Sequence, residues 1–511
     1  MALQMFASIY VGSYEVSLKI FEFGAKKKIR TVDHIRYRLN LGDDVFETGA
    51  IGYQKVEELC MILGEFLQVT KSYRVAEYEA YASTVLKNAS NEIFVLNQIF
   101  LRTGIQLRVL SNSEHRFISY QSVAGRPLFE QMIRSSAAVI DIGGIGIQMT
   151  LFRDGQMVTT QHMNLGTIHL RSLFEEGETQ KHYVEQLEEY IDKKIEVFRS
   201  MYLHRKIQHL ILMNDYGMEL VKKADKNHKE DTALSREKFI RFSDKLLKNN
   251  LEGICKELSL SNEKDPLIIP SVVLFRQLLS CFGSEDLWVP GLNVNDGIAY
   301  DYAKRKKLIK ESHDFEGDII SAAFHLARHY HSFSPHIESL SVLSTQIYDT
   351  IKKVHGMGKR ERLLLKVASI LHDCGKYVSL ANSASCSYQI ILSSEIMGLT
   401  HRERKLVALI VFYNTESLLE HREWMENLPQ EDYLIVAKLS AILRVANALD
   451  QSHKQKYKNI KVSTKGRQLV FTVESMQDIS LEQALFEEKT LYFENVFSMK
   501  PVLKEKRVYH V

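Results

Sequence analysis

Residues 138–155 read AVIDIGGIGIQMTLFRDG, and residues 9–24 read IYVGSYEVSLKIFEFG. Each is an apolar run, a glycine turn, a second apolar run and a closing glycine, the pattern of a strand hairpin. Gly12 and Gly143 are 131 residues apart, as are Gly24 and Gly155. The common offset marks an internal duplication. A strand that ends in a glycine turn lets backbone N–H groups approach a phosphate with no Cβ in the way. An ordinary hairpin turn is the simpler alternative, and two such turns in register weigh against it.

Patterns outward from the two hairpins divide the chain. Residues 90–104, SNEIFVLNQIFLRTG, carry a polar cap, apolar residues at helical spacing and a terminal glycine. IQLRVLS (105–111) predicts a strand. In the second half a charged helix over about 180–206 precedes the apolar strand LILM at 210–213. Strands alternating with helices imply an α/β sheet covered on both faces. These signals predict one α/β lobe over 1–135 and a second over 136–305. From 306 to 455 the segments are helix-periodic, which predicts an all-α domain. Residues 456–511 predict a small α+β tail, with a hairpin in KVSTKGRQLVFTVE (461–474), a helix over about 481–498 and a last strand.

Composition narrows the class. Of the 511 residues, 45% are apolar and 25% charged, which excludes a disordered, collagen-like or coiled-coil chain. The net charge of +3 gives no sign of a nucleic-acid binder. Five scattered cysteines with no CxxC pair argue against a disulfide framework or a zinc knuckle. Reduced thiols in a cytoplasmic protein are expected. The N-terminus lacks a cationic segment followed by an apolar run, and no stretch of about 18 uncharged apolar residues occurs. Neither a secretory signal nor a membrane span is expected.

With these segments in view, the sequence resembles the exopolyphosphatase and guanosine pentaphosphate phosphohydrolase family (Ppx/GppA) along nearly its whole length. Tyr10-Val11-Gly12-Ser13-Tyr14-Glu15 stands where that family has a DxGSNS-like loop. YRLNLGDDVFETGAI (37–51), YASTVLKN (81–88), VLSNSEHRFISY (109–120), VIDIGGIGIQMTLF (139–152), MNLGTIHLRSLF (163–174) and DGIAYDYAKRKK (296–307) follow in the family's order. HGMGKRERLLLKVASILHDCGKYVS (355–379) and LSAILRVANALDQSHKQ (439–455) are similar to its C-terminal HD-like helical domain.

The resemblance implies a two-lobed actin-like fold (ASKHA, ribonuclease H-like) followed by that helical domain. It implies phosphate bound in the cleft between the lobes, with terminal phosphate released from inorganic polyphosphate or guanosine pentaphosphate. Such hydrolysis needs charge neutralisation and a positioned water. Glu114 matches the first glutamate of the family's EEA segment and is the expected catalytic carboxylate. Asp141 matches the aspartate of DIGGGS and is the expected contact for Mg²⁺, with Mn²⁺ as the alternate. Gly12, Ser13, Gly143 and Gly144 are the expected phosphate-loop residues. His336, His372 and Asp373 match part of an HD-type metal set. A homodimer is implied, and neither a membrane nor a specific nucleic acid is.

The motifs also depart from the family pattern. The first-loop aspartate is Tyr10, followed after Gly-Ser by Tyr14 and Glu15. The arginine of ATSAxR is Leu86, which cannot replace a bidentate phosphate fork. GGGSTE has become Gly143-Gly144-Ile145-Gly146-Ile147-Gln148, and LILMNDYG (210–217) stands for a GTGGT loop. His115 replaces the second glutamate of EEA. In the helical part the later HD aspartate is Asn447, the histidine-rich HHKHS is residues 382–386 and a later histidine is Asn414. His325, His329 and His331 read as solvated or capping residues. Lys26-Lys27-Lys28 and 304–307 read as solvated basic faces or a rim for a polyanion. These departures sustain a rival expectation: a family member that binds a polyphosphate, a nucleotide or a protein partner without turnover.

Overall fold

The computed structural model describes residues 4–24, 29–173, 180–203, 205–213, 217–229, 231–259, 267–311, 313–417, 425 and 428–507. Lys26-Lys27-Lys28 and residues 214–216 of the LILMNDYG segment lie outside them. The chain forms two compact units, Met1–Asp314 and Phe315–Val511.

The first unit holds two sheets. One comprises β1 (Gln4–Val11), β2 (Glu15–Phe23), β3 (Ile29–Arg38), β4 (Glu77–Ala82) and β5 (Arg108–Val109), in the order β3-β2-β1-β4-β5. The other comprises β6 (Ser136–Ile142), β7 (Ile147–Arg153), β8 (Gln156–Met163), β9 (His209–Met213), β10 (Leu234–Ser235) and β11 (Asp286–Trp288), in the order β8-β7-β6-β9-β11-β10. Without the two-residue β10, the second order repeats the first. In both sheets the first three strands are antiparallel, and the fourth and fifth continue in parallel. The offset of 131 holds at residue level: Val11 pairs with Val16, and Ile142 with Ile147. It holds at the turns as well, where Gly12 N donates to Glu15 O at 2.8 Å and Gly143 N to Gly146 O at 3.0 Å.

Parallel neighbours need crossover segments, and helices on both faces explain the near-continuous apolar runs of the strands. Helices Tyr53–Ser72 and Glu92–Thr103 cover one face of the first sheet through Leu59, Leu63, Phe66, Val95 and Ile99. Helix Val294–Arg305 covers the other, packing Ile298, Ala299 and Tyr302 against Phe6, Phe21 and Phe23. This helix follows the second sheet in sequence and returns to the first. Its polar side is satisfied within that contact. Lys19 Nζ lies 2.8 Å from both oxygens of Asp296, and Asn295 bridges Ser8 and Ser17. Helices Gln180–Tyr202 and Ile268–Phe282 supply the core of the second sheet. The strand expected over 105–111 contracts to Arg108–Val109, because Asn112–Ala124 opens a helix on a Ser111 cap directly afterwards.

The second unit contains helices Phe315–His329, Ser334–Thr350, Lys359–Leu371, Ser383–Ser393, His401–Phe412 and Gln430–Ala448. A three-stranded sheet, β12 (Tyr457–Lys465), β13 (Gln468–Ser475) and β14 (Lys500–Arg507), completes it in that order. Helix Ser480–Phe497 connects β13 to the parallel β14. No helix among the described residues is long and apolar enough to cross a membrane.

Candidate functional site

The two glycine turns of the first unit face each other. A methyl group placed on Gly144 would lie 3.7 Å from Ser13 Oγ. Arg171, on helix Thr167–Leu173, reaches 3.6 Å to Asp43 near the start of helix Leu41–Thr48. Gly42 N donates to Ser13 O at 2.7 Å and holds the first turn in place. The second turn is held by the start of helix Thr167–Leu173: Thr167 N donates to Gly143 O, and Ile168 N and His169 N to Gly144 O. Two glycines make this approach possible. A Cβ on Gly166 would sit 2.2 Å from the Ile145 carbonyl carbon, and one on Gly146 would sit 2.3 Å from His162 Cε1. The amides of Ser13, Gly144 and Ile145 donate no hydrogen bond among the described residues. They are the donors available to an anion.

Asp141 is the next-to-last residue of β6, beside the second turn, at the position that Tyr10 holds in the first repeat. Burial pushes its carboxyl up to about 6, and the nearby Arg116 guanidinium offsets only part of the shift. Arg116 also contacts His162 Nδ1 at 2.7 Å. Leu86, where the family pattern has an arginine, is fully buried in the core beside the first sheet. Tyr10 stacks at a tilt on His115, ring centroids 5.5 Å apart, so aromatic rings occupy ground where the family pattern carries carboxylates. Burial, reinforced by Arg116, brings His115 down to about 4, so it is neutral at pH 7.

Glu114 has a structural engagement besides the expected chemistry, one that the Ser111-x-x-Glu114 spacing already carried. It is the third residue of helix Asn112–Ala124 and closes a capping box with Ser111. Its Oε2 accepts from Ser111 N at 2.9 Å and Ser111 Oγ at 2.7 Å, and its Oε1 from Arg108 at 2.6 Å. Burial alone would raise its pKa. The Ser111 hydrogen bonds and the Arg108 charge outweigh it and hold the carboxyl below the usual range. Glu114 is therefore a firmly ionised acceptor.

A second cluster lies within the helical unit. His336, His372 and Asp373 do come together, and two residues outside the sequence-derived set join them: Asp450 and His453. His336 Nδ1 is 2.7 Å from Asp450 Oδ2, and His336 Nε2 is 3.2 Å from His372 Nε2. His372 Nδ1 is 2.8 Å from the Ser369 carbonyl, and its Nε2 is 3.3 Å from Asp373 Oδ1. His453 lies parallel to His336 with ring centroids 3.8 Å apart, and its Nε2 is 3.9 Å from Asp373 Oδ2. Burial dominates the lowering of the His372 pKa to about 4. Asp450 is buried, yet the His336 and Gln455 hydrogen bonds keep it below the usual carboxylate range. The sequence signal for these two residues was their spacing from the HD-like segment: they follow Asn447 by three and six positions. By contrast, nothing local in the sequence marks Arg116 or His162.

Comparison with known proteins follows the same division. The model of the Ppx/GppA phosphatase family matches residues 20–306, and that of Ppx/GppA phosphatase domain III matches residues 321–494. The crystal structure of the Aquifex aeolicus member of the Ppx/GppA family is similar to this chain with a TM-score of 0.51 at 17% identity, covering 60% of this chain and 99% of the other. That of an exopolyphosphatase from Cytophaga hutchinsonii has a TM-score of 0.52 at 15% identity, covering 60% and 100%. At these identities the likeness is one of fold. No curated protein matches the chain. The match of the family model over more than half of the sequence, on a mixed α/β fold with two equivalent sheets, places this chain in the Ppx/GppA phosphatase family.

Proposed function

We propose that this chain releases terminal phosphate from inorganic polyphosphate or guanosine pentaphosphate in the cleft between its two sheets. The observation that carries the reading is the pair of equivalent glycine turns, facing each other with the Ser13, Gly144 and Ile145 amides available, next to Asp141 and Arg116. Hydrolysis of a phosphoanhydride forms a bond from water oxygen to phosphorus, breaks the bridging P–O bond and sheds a proton from the water. Glu114, ionised and fixed by Ser111 and Arg108, orients that water by accepting its hydrogen bond. Arg116 and the turn amides offset phosphate charge.

The donor set fits Mg²⁺ or Mn²⁺. Asp141 is a half-buried residue whose carboxyl desolvation is only partly offset by Arg116, and Mg²⁺ commonly uses one or two carboxylates together with substrate phosphates. When bound there, the ion supplies Lewis-acid polarisation of the phosphoryl oxygens. Asp141 would hold it. The same reading carries an actin-like first unit, an HD-like helical part, a homodimer, and a cytoplasmic setting for the five free cysteines.

Binding without turnover is the second reading, favoured by the Tyr10–His115 ring pair and by the burial of Leu86. Phosphate release from long-chain polyphosphate and from guanosine pentaphosphate, with Mg²⁺ or Mn²⁺, separates the two. Release that requires metal and is lost in Asp141→Asn supports hydrolysis. Retention of polyphosphate by folded protein with no release establishes the second reading.

A further inference from the structure

Helix Glu92–Thr103 is apolar on two opposite sides. Val95 and Ile99 face inwards and join the core beside the first sheet. Ile93, Phe94, Phe100 and Leu101 face outwards and are 54–78% exposed. With 3.6 residues per turn, Ile93, Phe94, Asn97, Phe100 and Leu101 fall within an arc of about 120°, and Val95 and Ile99 lie on the other side. Apolar residues exposed singly need no explanation, whereas a contiguous stripe on one helix face marks a contact surface. Phe94 and the exposed Tyr53 also line a cavity of about 240 Å³, together with Ile51, Val56, Val95 and Gln98.

The order of residues in the stripe identifies its partner. Residues 92–102 read EIFVLNQIFLR, a string that is nearly symmetric about Asn97. Outward from that centre, Val95 matches Ile99, Phe94 matches Phe100, Ile93 matches Leu101, and Glu92 is matched by the opposite charge of Arg102. In a two-fold contact, where residue i meets j, j also meets i. An antiparallel copy of the same helix satisfies that condition along the whole stripe. We propose that the outer face of helix Glu92–Thr103 is a homodimer interface, with two copies antiparallel across a two-fold axis at Asn97. Phe94 then faces Phe100 of the second copy, and Ile93 faces Leu101. The two Asn97 amides meet on the axis, each donating to the other's oxygen, and one polar pair in an apolar seam fixes the register. Glu92 and Arg102 meet at each end of the seam as two ion pairs. Arg102 Nη1 lies 3.5 Å from Glu57 of its own chain, both half-exposed, and the guanidinium keeps further donors for Glu92. A parallel pairing would instead set Glu92 against Glu92 and Arg102 against Arg102. The cavity beside Phe94 receives Phe100 of the second copy, since roughly 150 Å³ already admits a benzene ring. The contact goes beyond the homodimer of the functional reading by assigning its face, register and direction.

Sedimentation velocity of the full chain, from low-micromolar to several-hundred-micromolar protein, tests the interface. The expected wild type is a reversible and weak dimer, because one helix face is a small contact beside the roughly 800 Å² per partner of a stable complex. Phe94→Asp and Leu101→Asp are expected to weaken it more than about 100-fold, since each places two charges in the seam. Both side chains are exposed, so the melting temperature at dissociating dilution stays at the wild-type value and separates lost contact from lost fold. Glu92→Arg and Arg102→Glu are each expected to weaken association about tenfold through two like-charge contacts. Mixed in equal amounts, those two variants are expected to associate more tightly than either alone, because only the mixed antiparallel pair has opposite charges at both ends. A wild type that stays monomeric throughout would overturn the proposal. So would a dimer undiminished in both aspartate variants, which would place the contact on another face. Self-association and phosphate release are separate readouts, so either can fail without the other.

Discussion

Asp141 and Glu114 are both carboxylates next to the proposed cleft, and their surroundings push them in opposite directions. Asp141 is raised to about 6 by burial, above the ordinary unfolded value of about 3.9. Its contribution to stability is therefore present below about pH 4 and is lost as the pH rises through about 6. In metal-free protein, Asp141→Asn is expected to melt above wild type at pH 7, with the difference vanishing near pH 4. Melting curves across that range check the sign, and an unchanged or lower melting temperature at pH 7 would contradict it. The same variant is expected to lower phosphate release at least about 100-fold, the order found on removing one preorganised electrostatic group. Glu114 separates chemistry from scaffolding. Glutamine also closes a capping box, so Glu114→Gln is expected to leave the melting temperature nearly unchanged while lowering phosphate release. Loss of both together would mean that the residue only caps its helix.

At the scale of elements, the tie between helix Val294–Arg305 and the first sheet includes one buried ion pair, Lys19–Asp296. Asp296 accepts from Lys19 and from Asn293 N, so it serves the pair and its own helix's capping box. Removing one partner of a buried pair leaves an uncompensated charge, which costs about 3–5 kcal/mol. Asp296→Ala is expected to destabilise the first unit by that order in denaturant titrations. A double change, Lys19→Met with Asp296→Leu, is expected to recover much of the loss. The second turn offers a comparable test. Gly166→Ala drives a Cβ into the Ile145 backbone, where no flexible side chain can yield. Overpacking of this kind costs about 1–3 kcal/mol, and it should depress polyphosphate binding together with stability.

At the scale of the molecule, the duplication and the unit boundary carry separate expectations. The two sheets share one order and one turn geometry, so the facing turns come from two copies of the same hairpin that have diverged in side chains. Tyr10 and Asp141 show that divergence at one equivalent position: one copy offers a ring, the other a carboxylate. The unit Phe315–Val511 has its own helices and sheet. Expressed from Phe315 onwards, it is expected to show native-like far-UV circular dichroism and a cooperative melt. A non-cooperative melt would show that it depends on the remainder of the chain.

The repeat at an offset of 131, the alternation of strands with helices and the change to helical periodicity near residue 306 all follow from local pattern. The hairpins and long helices could be read for the same reason: apolar spacing, caps and glycines act over a few residues. The order of motifs was enough to recognise the family. What local pattern could not supply was contact between distant residues. It extended β5 too far, since only the Ser111–Glu114 capping box shows where the helix begins. It gave Glu114 a chemical role without its Arg108 partner. Arg116 beside Asp141, the return of helix Val294–Arg305 to the first sheet, and the gathering of Asp450 and His453 around His336 arise from residues up to hundreds of positions apart. Spacing along a chain determines which face of an element a side chain occupies. Only packing determines which charges and lone pairs that face meets, and through burial and pairing those neighbours set protonation and chemistry.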